Sequence, residues 1–183
     1  MSTTTITEAL AEIKTIGKRI EKKRQSIATY LARDLRLKDP LEKDGGSVAF
    51  VTSERQGISD LEARIVGIRT AIQKSNLDTV TVISGTTKSV AEWLTWRREV
   101  APGAQSFLAS LNNGIRTIRE KAQRDGARIV PMGGESVAET KGVEVVVNVD
   151  ERALLAAQEN LETTLGELDG RLSLLNATTV INL

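Results

Sequence analysis

Aliphatic residues recur at helical spacing in two stretches of the chain that lie one hundred positions apart. In the first stretch they step by three or four residues, at Ile58, Leu61, Ile65, Ile68 and Ile72. In the second stretch the equivalent positions hold Leu161, Leu165, Leu168 and Leu172. Mostly charged and polar residues fill the positions between, so each stretch predicts an amphipathic helix with one aliphatic seam.

Both seam helices are followed by the same short sequence. Asn76 and Asn176 come after the seams, and a Thr-Val pair follows each of them at 79–80 and 179–180. Asn tolerates the left-handed backbone conformation that often ends a helix. We therefore expect each Asn to lie at a helix C-terminus and a short Thr/Val strand to follow.

A second repeat, with a spacing of 84 residues, marks the starts of two further helices. "TITEAL" begins at Thr5 and "SVAEWL" begins at Ser89, and each has a Glu three residues later, which is the spacing of a capping box. The seam of the first of these helices is predicted at Ile6, Leu10, Ile13, Ile20, Ile27 and Leu31. The seam of the second is predicted at Val90, Leu94, Ala104, Leu108, Leu111, Ile115, Ile118 and Ala122. Pro102 lacks an amide donor and is expected to kink or break this second helix.

The segments between the paired helices differ in length. The first runs from about residue 34 to 52 and the second from about 126 to 148, and both contain Gly-Gly and a Val-rich stretch. "ARIVP" and the alternating valines at 143–149 predict a β-hairpin in the second segment, and the first segment is expected to be a smaller version. Neither Gly-Gly has the Lys-Ser/Thr of a phosphate loop, so ordinary turns are expected there.

The chain therefore has the pattern of a duplicated unit, with one repeat at about 5–83 and the other at about 89–183. We expect a mainly α fold, an antiparallel four-helix bundle built from two duplicated helix-loop-helix-strand units with small peripheral β-hairpins. The whole of 1–183 is expected to form a single domain.

Composition removes much catalytic chemistry. The 183 residues include no Cys and no His, so thiol nucleophiles, imidazole bases, disulfides and thiolate metal sites are excluded. Carboxylates such as Glu159, Glu162 and Glu167 lie between seam positions, on the predicted exposed face. We expect no enzymatic activity, no cofactor and no metal site. No apolar run reaches about 18 residues and the first residues lack the features of a secretory signal, so a cytoplasmic protein, or a particle assembled there, is expected.

Three sets of residues are candidate binding surfaces. The first is an aromatic and basic cluster at Trp93, Trp96, Arg97 and Arg98, residue types that anchor interfaces. The second is the apolar strand carrying Val143, Val145 and Val147, which should pair either within the chain or with a neighbouring subunit. The third is a basic face at Lys14, Lys18, Arg19, Lys22 and Lys23. A solvated helix surface is the simpler interpretation of that face, since the net charge of +1 makes a nucleic-acid partner unexpected.

The segment "SVAEWLTWRR" and the later "LDGRLSLLNATTVI" resemble an uncharacterised family of bacterial helical proteins, some of which carry the name septicolysin. The resemblance implies two helical pairs with Asn/Thr segments after them, and it supplies no catalytic residue. The chain also has the general character of a phage structural protein. From these features we expect a self-assembling, homo-oligomeric structural protein, such as a capsid- or tail-associated virion component. The alternative is a bacterial helical interaction or regulatory module that binds a protein or a nucleic acid.

Overall fold

The computed structural model describes residues 3–130, 132–133 and 143–183, and it is mainly helical. The elements are β1 (Thr3–Thr5), α1 (Ile6–Thr29), α2 (Gly46–Asp78), β2 (Val80–Ile83), β3 (Thr86–Ser89), α3 (Val90–Thr95), α4 (Ala101–Arg124), β4 (Arg128–Val130), β5 (Glu144–Val146), α5 (Glu151–Thr178) and β6 (Val180–Asn182). A π-helical turn, Trp96–Val100, joins α3 to α4, and a short 3₁₀ turn, Glu42–Asp44, precedes α2.

The chain divides into two compact units. The first comprises Met1–Thr79 with Arg171–Leu183, and the second comprises Val80–Gly170. Each unit is built on an antiparallel pair of helical segments. The mainly helical class is confirmed, whereas the expected four-helix bundle is not.

The first unit is a hairpin of α1 and α2. Ion pairs cross between the two helices, with Lys23 Nζ 2.8 Å from Glu54 and the Arg64 guanidinium bidentate on Glu12. The aliphatic core between the helices consists of Ile6, Ala9, Ile16, Ile20, Ile68, Ile72 and Ile181. The predicted α2 seam is confirmed. The predicted α1 seam was partly wrong, because Leu10 and Leu31 are exposed while Ala9 and Ile16 are buried.

The last strand of each repeat pairs with the first strand of the other repeat. In the first unit β1 is antiparallel to β6, with Thr5 opposite Val180. In the second unit β2 is antiparallel to β3, with Ser89 opposite Val80. The cap residue of each repeat thus faces the valine that follows the other repeat's seam helix, so both closures have the same register.

Both predicted capping boxes are confirmed. The hydroxyls of Thr5 and Ser89 accept the amides of Glu8 and Glu92, and each Glu carboxylate accepts the amide of its cap residue. These hydrogen bonds favour the ionised carboxylates, so they lower the pKa of both Glu8 and Glu92. Each helix start is therefore fixed by local chemistry that the sequence specifies.

In the second unit the helical segment from Val90 to Arg124 packs antiparallel to α5. Arg119 bonds Glu151 near one end, Asn112 bonds Gln158 further along, and Arg97 Nη1 lies 2.9 Å from Asp169. Ile115, Val147 and Leu154 form a buried cluster between these elements. The α5 seam is confirmed by its two buried residues, Leu168 and Leu172. The burial pattern of 161–180 matches that of 61–80 at every position except Arg171, where the first repeat has Ala71.

Pro102 does not break the helix. The π-helical turn lies directly before Ala101, and α4 continues through Pro102 in its first turn, where a missing amide donor is tolerated. Buried residues are seven apart in α1, from Ala9 to Ile16, but eight apart here, from Trp93 to Ala101. Eight residues of regular α-helix would rotate Ala101 about 80° away from the buried face, and the wider turn offsets that rotation.

Three other expectations are corrected. β4 and β5 are parallel, not a hairpin, with Arg128 opposite Glu144. Parallel strands need a crossover of about a dozen residues or more, and the chain between Val130 and Glu144 is long enough for one. In the first excursion Gly45 caps α2, and Gly46 and the Val-rich stretch form the first turns of that helix instead of a strand. Asn76 and Asn176 lie inside their helices, which end two residues later, at Asp78 and Thr178.

Candidate functional site

A cleft in the second unit, which we call the tryptophan cleft, combines aromatic, hydroxyl and cationic groups. Its volume is about 440 Å³, within the range of small-ligand sites. It is lined by Ile83, Ser84, Thr86, Lys88, Trp93, Trp96, Asn160, Thr163 and Thr164. The lining therefore contains one cation and no carboxylate.

The two indole rings form the apolar wall of this cleft. Trp93 is buried, and its indole N–H donates to the Thr81 carbonyl at 3.4 Å. Trp96, the first residue of the π-helical turn, packs edge-on against Trp93 with ring centroids 5.6 Å apart. Lys88 Nζ lies 4.8 Å from the Trp93 ring centroid, a cation–π contact that holds the ammonium over the wall.

The turn between β2 and β3 forms the rim of the cleft. Ser84 and Gly85 both have positive φ, and Ser84, at 46°, is the one non-glycine residue among the described residues that does. Positive φ at both central residues is what a two-residue type I′ turn of a β-hairpin requires, and Ser84 and Gly85 form the two-residue loop between the paired Ile83 and Thr86. Here Glu167 accepts the Ser84 amide at 2.8 Å, and the Thr164 hydroxyl donates to Ser84 Oγ at 3.0 Å.

Several donors of the cleft are unused by the protein. Within the described ranges, five groups donate no hydrogen bond to another protein group, namely the Lys88 ammonium, the Trp96 indole N–H, the Asn160 amide and the hydroxyls of Thr86 and Thr163. No polar side-chain atom of the described residues is both buried and unsatisfied, so these donors face solvent. The cleft can therefore offer them to a bound molecule.

The equivalent place in the first unit has different groups. The duplication aligns Trp93 and Trp96 with Ala9 and Glu12, and it aligns Thr164 with Arg64. Glu12 and Arg64 form a bidentate ion pair there, at 2.8 and 3.2 Å. The hydrogen bond from Arg64 lowers the pKa of Glu12 and raises that of Arg64, which keeps both groups charged. The same position of the fold thus holds an ion pair in one repeat and open aromatic and hydroxyl groups in the other.

A second candidate surface lies on the solvent side of α4. We call it the α4 outer face, and it consists of Val100, Gly103, Phe107, Ser110, Gly114 and Ile118. All six are exposed, with Phe107 at 62% and Val100 at 52%. Steps of seven and eleven residues from Val100 to Phe107 and from Phe107 to Ile118 keep these side chains within about 20° of one another around the helix.

The α4 outer face is uncharged. From Val100 to Ile115 the sequence contains no Asp, Glu, Lys or Arg, although the helix buries only one side. A helix with one solvated face normally carries charges on it. Charged residues are depleted at the centres of protein interfaces, so the composition of this face resembles an interface more than a solvated surface. The charge-free run was visible in the sequence, but its orientation was not.

The members of the predicted aromatic and basic cluster differ in exposure. Trp93 is 3% exposed, so its side chain is not available to a partner, while Trp96 is half-buried in the cleft wall. Arg97 is exposed and pairs with Asp169, and Arg98 is exposed and pairs with its neighbour Glu99. An interface through Trp96, Arg97 and Arg98 stays a prediction.

The predicted valine strand is partly used within the chain. Val145 pairs opposite Ile129, and Val147 is 4% exposed and packs with Ile115, so neither side chain is a free surface. Val143 is exposed. One edge of this strand is therefore paired within the chain, with β4.

The predicted basic face is on the solvent side of α1. Lys14, Lys18, Arg19 and Lys22 are exposed, and none of them lies within ion-pair distance of a described carboxylate. Lys23 differs, because it is turned towards α2 and bonded to Glu54. Four of the five predicted residues therefore remain as an exposed cationic surface.

The glycine pair before α2 does not offer a phosphate site. Gly45 and Gly46 have φ of 93° and 86°, and the N-terminus of α2 is already occupied by Asp39. Its carboxylate accepts the Ser47 amide and hydroxyl and the Leu41 amide, which lowers the pKa of Asp39 to about 2. A negative charge from the protein itself thus satisfies this helix end.

Other classes of site were sought in the same ranges. The described residues contain no group of three or more carboxylates placed to hold a metal ion. Among them, no helix combines the length and the apolarity that a membrane crossing requires. Comparison with family models, curated proteins and solved structures gave no match to the chain. The family resemblance stays a prediction.

Proposed function

We propose that this chain is a non-enzymatic, self-assembling structural protein, of the kind that forms a capsid- or tail-associated part of a phage virion. The observation that carries the proposal is the uncharged, exposed α4 outer face. It extends for about 27 Å along the helix, from Val100 to Ile118. Its occupant is a second copy of the chain.

Lack of charge is what makes a second copy the suitable occupant. In a two-fold contact each residue of the face meets the same face of the partner, so like charges would oppose one another. The α4 outer face has none to oppose. Gly103 and Gly114 leave open space where a Cβ would stand, which permits close approach of two helix backbones. By contrast, the corresponding side of α1 carries Lys14, Lys18 and Lys22 and would repel itself.

The size of the α4 outer face sets the expected strength of the contact between two copies of the chain. A strip about 27 Å long and one helix, about 10 Å, wide buries much less than the 800 Å² per partner of a standard interface. The contact is therefore expected to be weak and dependent on concentration when it acts alone. A structural subunit that assembles only at high local concentration fits this behaviour.

Light scattering on the purified chain over a wide concentration range tests the proposal. The wild-type mass should rise with concentration, and Phe107→Glu should hold it at the monomer value because the substitution places a charge at the centre of the face. Leu155→Glu is the matched control, since Leu155 is similarly exposed, at 58%, but lies on α5. A wild-type chain that stays monomeric, or an equal effect of both variants, would reject the proposal.

A second candidate is the interaction module with an anionic partner, which the exposed Lys14, Lys18, Arg19 and Lys22 favour. If the partner is a nucleic acid, its affinity should fall steeply as salt is raised, because phosphate contacts release counterions. Binding of a labelled oligonucleotide by wild type and by Lys18→Gln/Lys22→Gln measures this. Salt-independent binding, or binding that the double variant retains in full, counts against this candidate.

A further inference from the structure

We infer that the tryptophan cleft binds an acidic saccharide, a sugar ring that bears a carboxylate. This goes beyond the self-assembly proposed above and rests on a different part of the molecule. Two independent features of the cleft support a binding role, and the chemistry of its lining selects the ligand class.

The first feature is the divergence of the two repeats. The helix seams, caps and strand registers of the repeats agree closely, yet the groups at the cleft position do not. Glu12 and Arg64 occupy the site with an ion pair in the first repeat, whereas the second repeat has Trp96 and Thr164 there. The same fold therefore accommodates an ion pair at this place, and the aromatic and hydroxyl groups of the second repeat are not needed to build it.

The second feature is a backbone departure that lies at the cleft. The π-helical turn begins at Trp96, and such turns within α-helices are rare and occur frequently at functional sites. On the rim, the turn between β2 and β3 is held in place, since Glu167 accepts the Ser84 amide and the Thr164 hydroxyl donates to Ser84 Oγ.

The lining has two chemically different sides. Half-buried Trp96 supplies the accessible apolar wall, with the buried Ile83 and Trp93 behind it, and the hydroxyls and amide of Thr86, Asn160 and Thr163 line the same cleft with unused hydrogen-bonding capacity. A pyranose ring matches this arrangement, because its C–H faces are apolar while its edges carry hydroxyl groups. A purely apolar ligand would leave the hydroxyl side unpaired, at a cost in binding free energy.

The charge of the cleft lining narrows the class of expected ligand further. Lys88 is the one charged residue of the lining, and its ammonium is held over the Trp93 ring with no carboxylate of the described residues within ion-pair distance. The Glu92 carboxylate lies near enough for the Lys88 charge to help lower its pKa, but its hydrogen bonds are to the Ser89 amide and hydroxyl. A ligand carboxylate would complete this site with a charge-assisted hydrogen bond. The predicted ligand therefore combines a sugar ring with one carboxylate, as in a uronic acid.

Tryptophan fluorescence provides a direct test, because the chain has only two tryptophans and both line the cleft. Glucuronate should produce a saturable change with a dissociation constant of about 1 mM, the value reached by a ligand of this size at ordinary efficiency per atom. Glucose, which lacks the carboxylate, should bind about tenfold more weakly. Acetate, which lacks the ring, should give no saturable change.

Variants distinguish this site from a general charge effect. Lys88→Met should bind glucose and glucuronate equally, whereas Lys18→Met, which removes an exposed lysine of α1, should behave as wild type. Trp96→Glu/Thr164→Arg recreates the ion pair of the first repeat and should abolish binding, with Trp93 as the remaining fluorophore and circular dichroism confirming the fold. Phe107→Glu should bind normally, which separates this inference from self-assembly. No saturable change with glucuronate, or equal binding of glucose and glucuronate by wild type, overturns the inference.

Discussion

Replacement of Ile68 by Ala should test whether the α1–α2 seam stabilises the first unit. Ile68 is fully buried between α1 and α2. The substitution removes three carbon atoms, which is worth about 2.4 kcal/mol at about 0.8 kcal/mol for each buried group. The cavity left behind adds to this transfer term, so the expected loss is about 3–4 kcal/mol of unfolding free energy. Ile68→Val should lose about 1 kcal/mol, since it removes one carbon atom.

The matched control lies two residues earlier on the same helix. Val66 is 64% exposed, so Val66→Ala removes little buried surface and replaces a β-branched residue by a better helix former. Its unfolding free energy should stay within about 0.5 kcal/mol of wild type. Urea unfolding followed by far-UV circular dichroism measures all three variants. If Ile68→Ala loses less than about 1 kcal/mol, or no more than Val66→Ala, the seam does not carry the stability assigned to it.

Three further predictions concern local features. Ser89→Ala should cost about 1 kcal/mol of unfolding free energy through loss of the helix cap, and a change near zero in urea unfolding would show that the box is dispensable. The Asp39 carboxylate has a folded pKa of about 2 against an ordinary value of 3.8, so its contribution to stability is present above pH 4 and is lost as the pH falls towards 2. Asp39→Asn should therefore be less stable than wild type at pH 6, with a smaller difference at pH 3; a gap of constant size would contradict the hydrogen-bonded carboxylate. Deletion of Glu99 shortens the interval from Trp93 to Ala101 to the seven residues found in α1. Helicity by circular dichroism should be retained, while the fluorescence emission of Trp96 should shift to the red. An unchanged emission would show that the π-helical turn does not position Trp96.

Features fixed by neighbouring residues could be predicted from the sequence. The capping boxes at Thr5 and Ser89 depend on hydrogen bonds within a few residues, and both were found where the sequence placed them. The α2 and α5 seams were also correct, because a regular spacing of three and four residues fixes one helix face. Hydrogen bonds between neighbouring residues and helical periodicity were thus enough to predict the type of most elements.

The direction of strand pairing and the buried face of α1 could not be predicted in the same way. Alternating valines at 143–149 indicate a strand but not whether its partner runs parallel, which depends on the path of the connection. In α1, aliphatic residues at both Leu10 and Ile13 allowed two neighbouring faces, and the register against α2 selected the one with Ala9 and Ile16. Asn76 was expected to end its helix, but the two following residues continue it, since nothing there requires the left-handed conformation.

The candidate cleft is indicated by differences between the two repeats more than by any sequence motif. Trp96 and Arg97 are unusual residues in the sequence, and the structure places the first in a cleft wall and the second in an ion pair. The partners that complete the cleft, Asn160 and Thr163, lie more than sixty residues away in sequence and carry no motif of their own. The equivalent residues of the first repeat are Asp60 and Ala63, so an alignment of the two repeats shows that the chemical type of these residues differs between them.

The two repeats have kept the same frame and differ at the surfaces where binding is proposed. Each has a capped helix, an aliphatic seam and a strand that closes the opposite repeat in the same register. Because these parts fix the fold, the remaining positions were free to diverge. The first repeat has a cationic helix face and an ion pair at the cleft position, and the second has an uncharged helix face and an open cleft. If the second repeat holds both binding surfaces, charge at Phe107 should impair assembly and charge at Thr164 should impair ligand binding, while charge changes at the equivalent sites of α1 and α2 should impair neither.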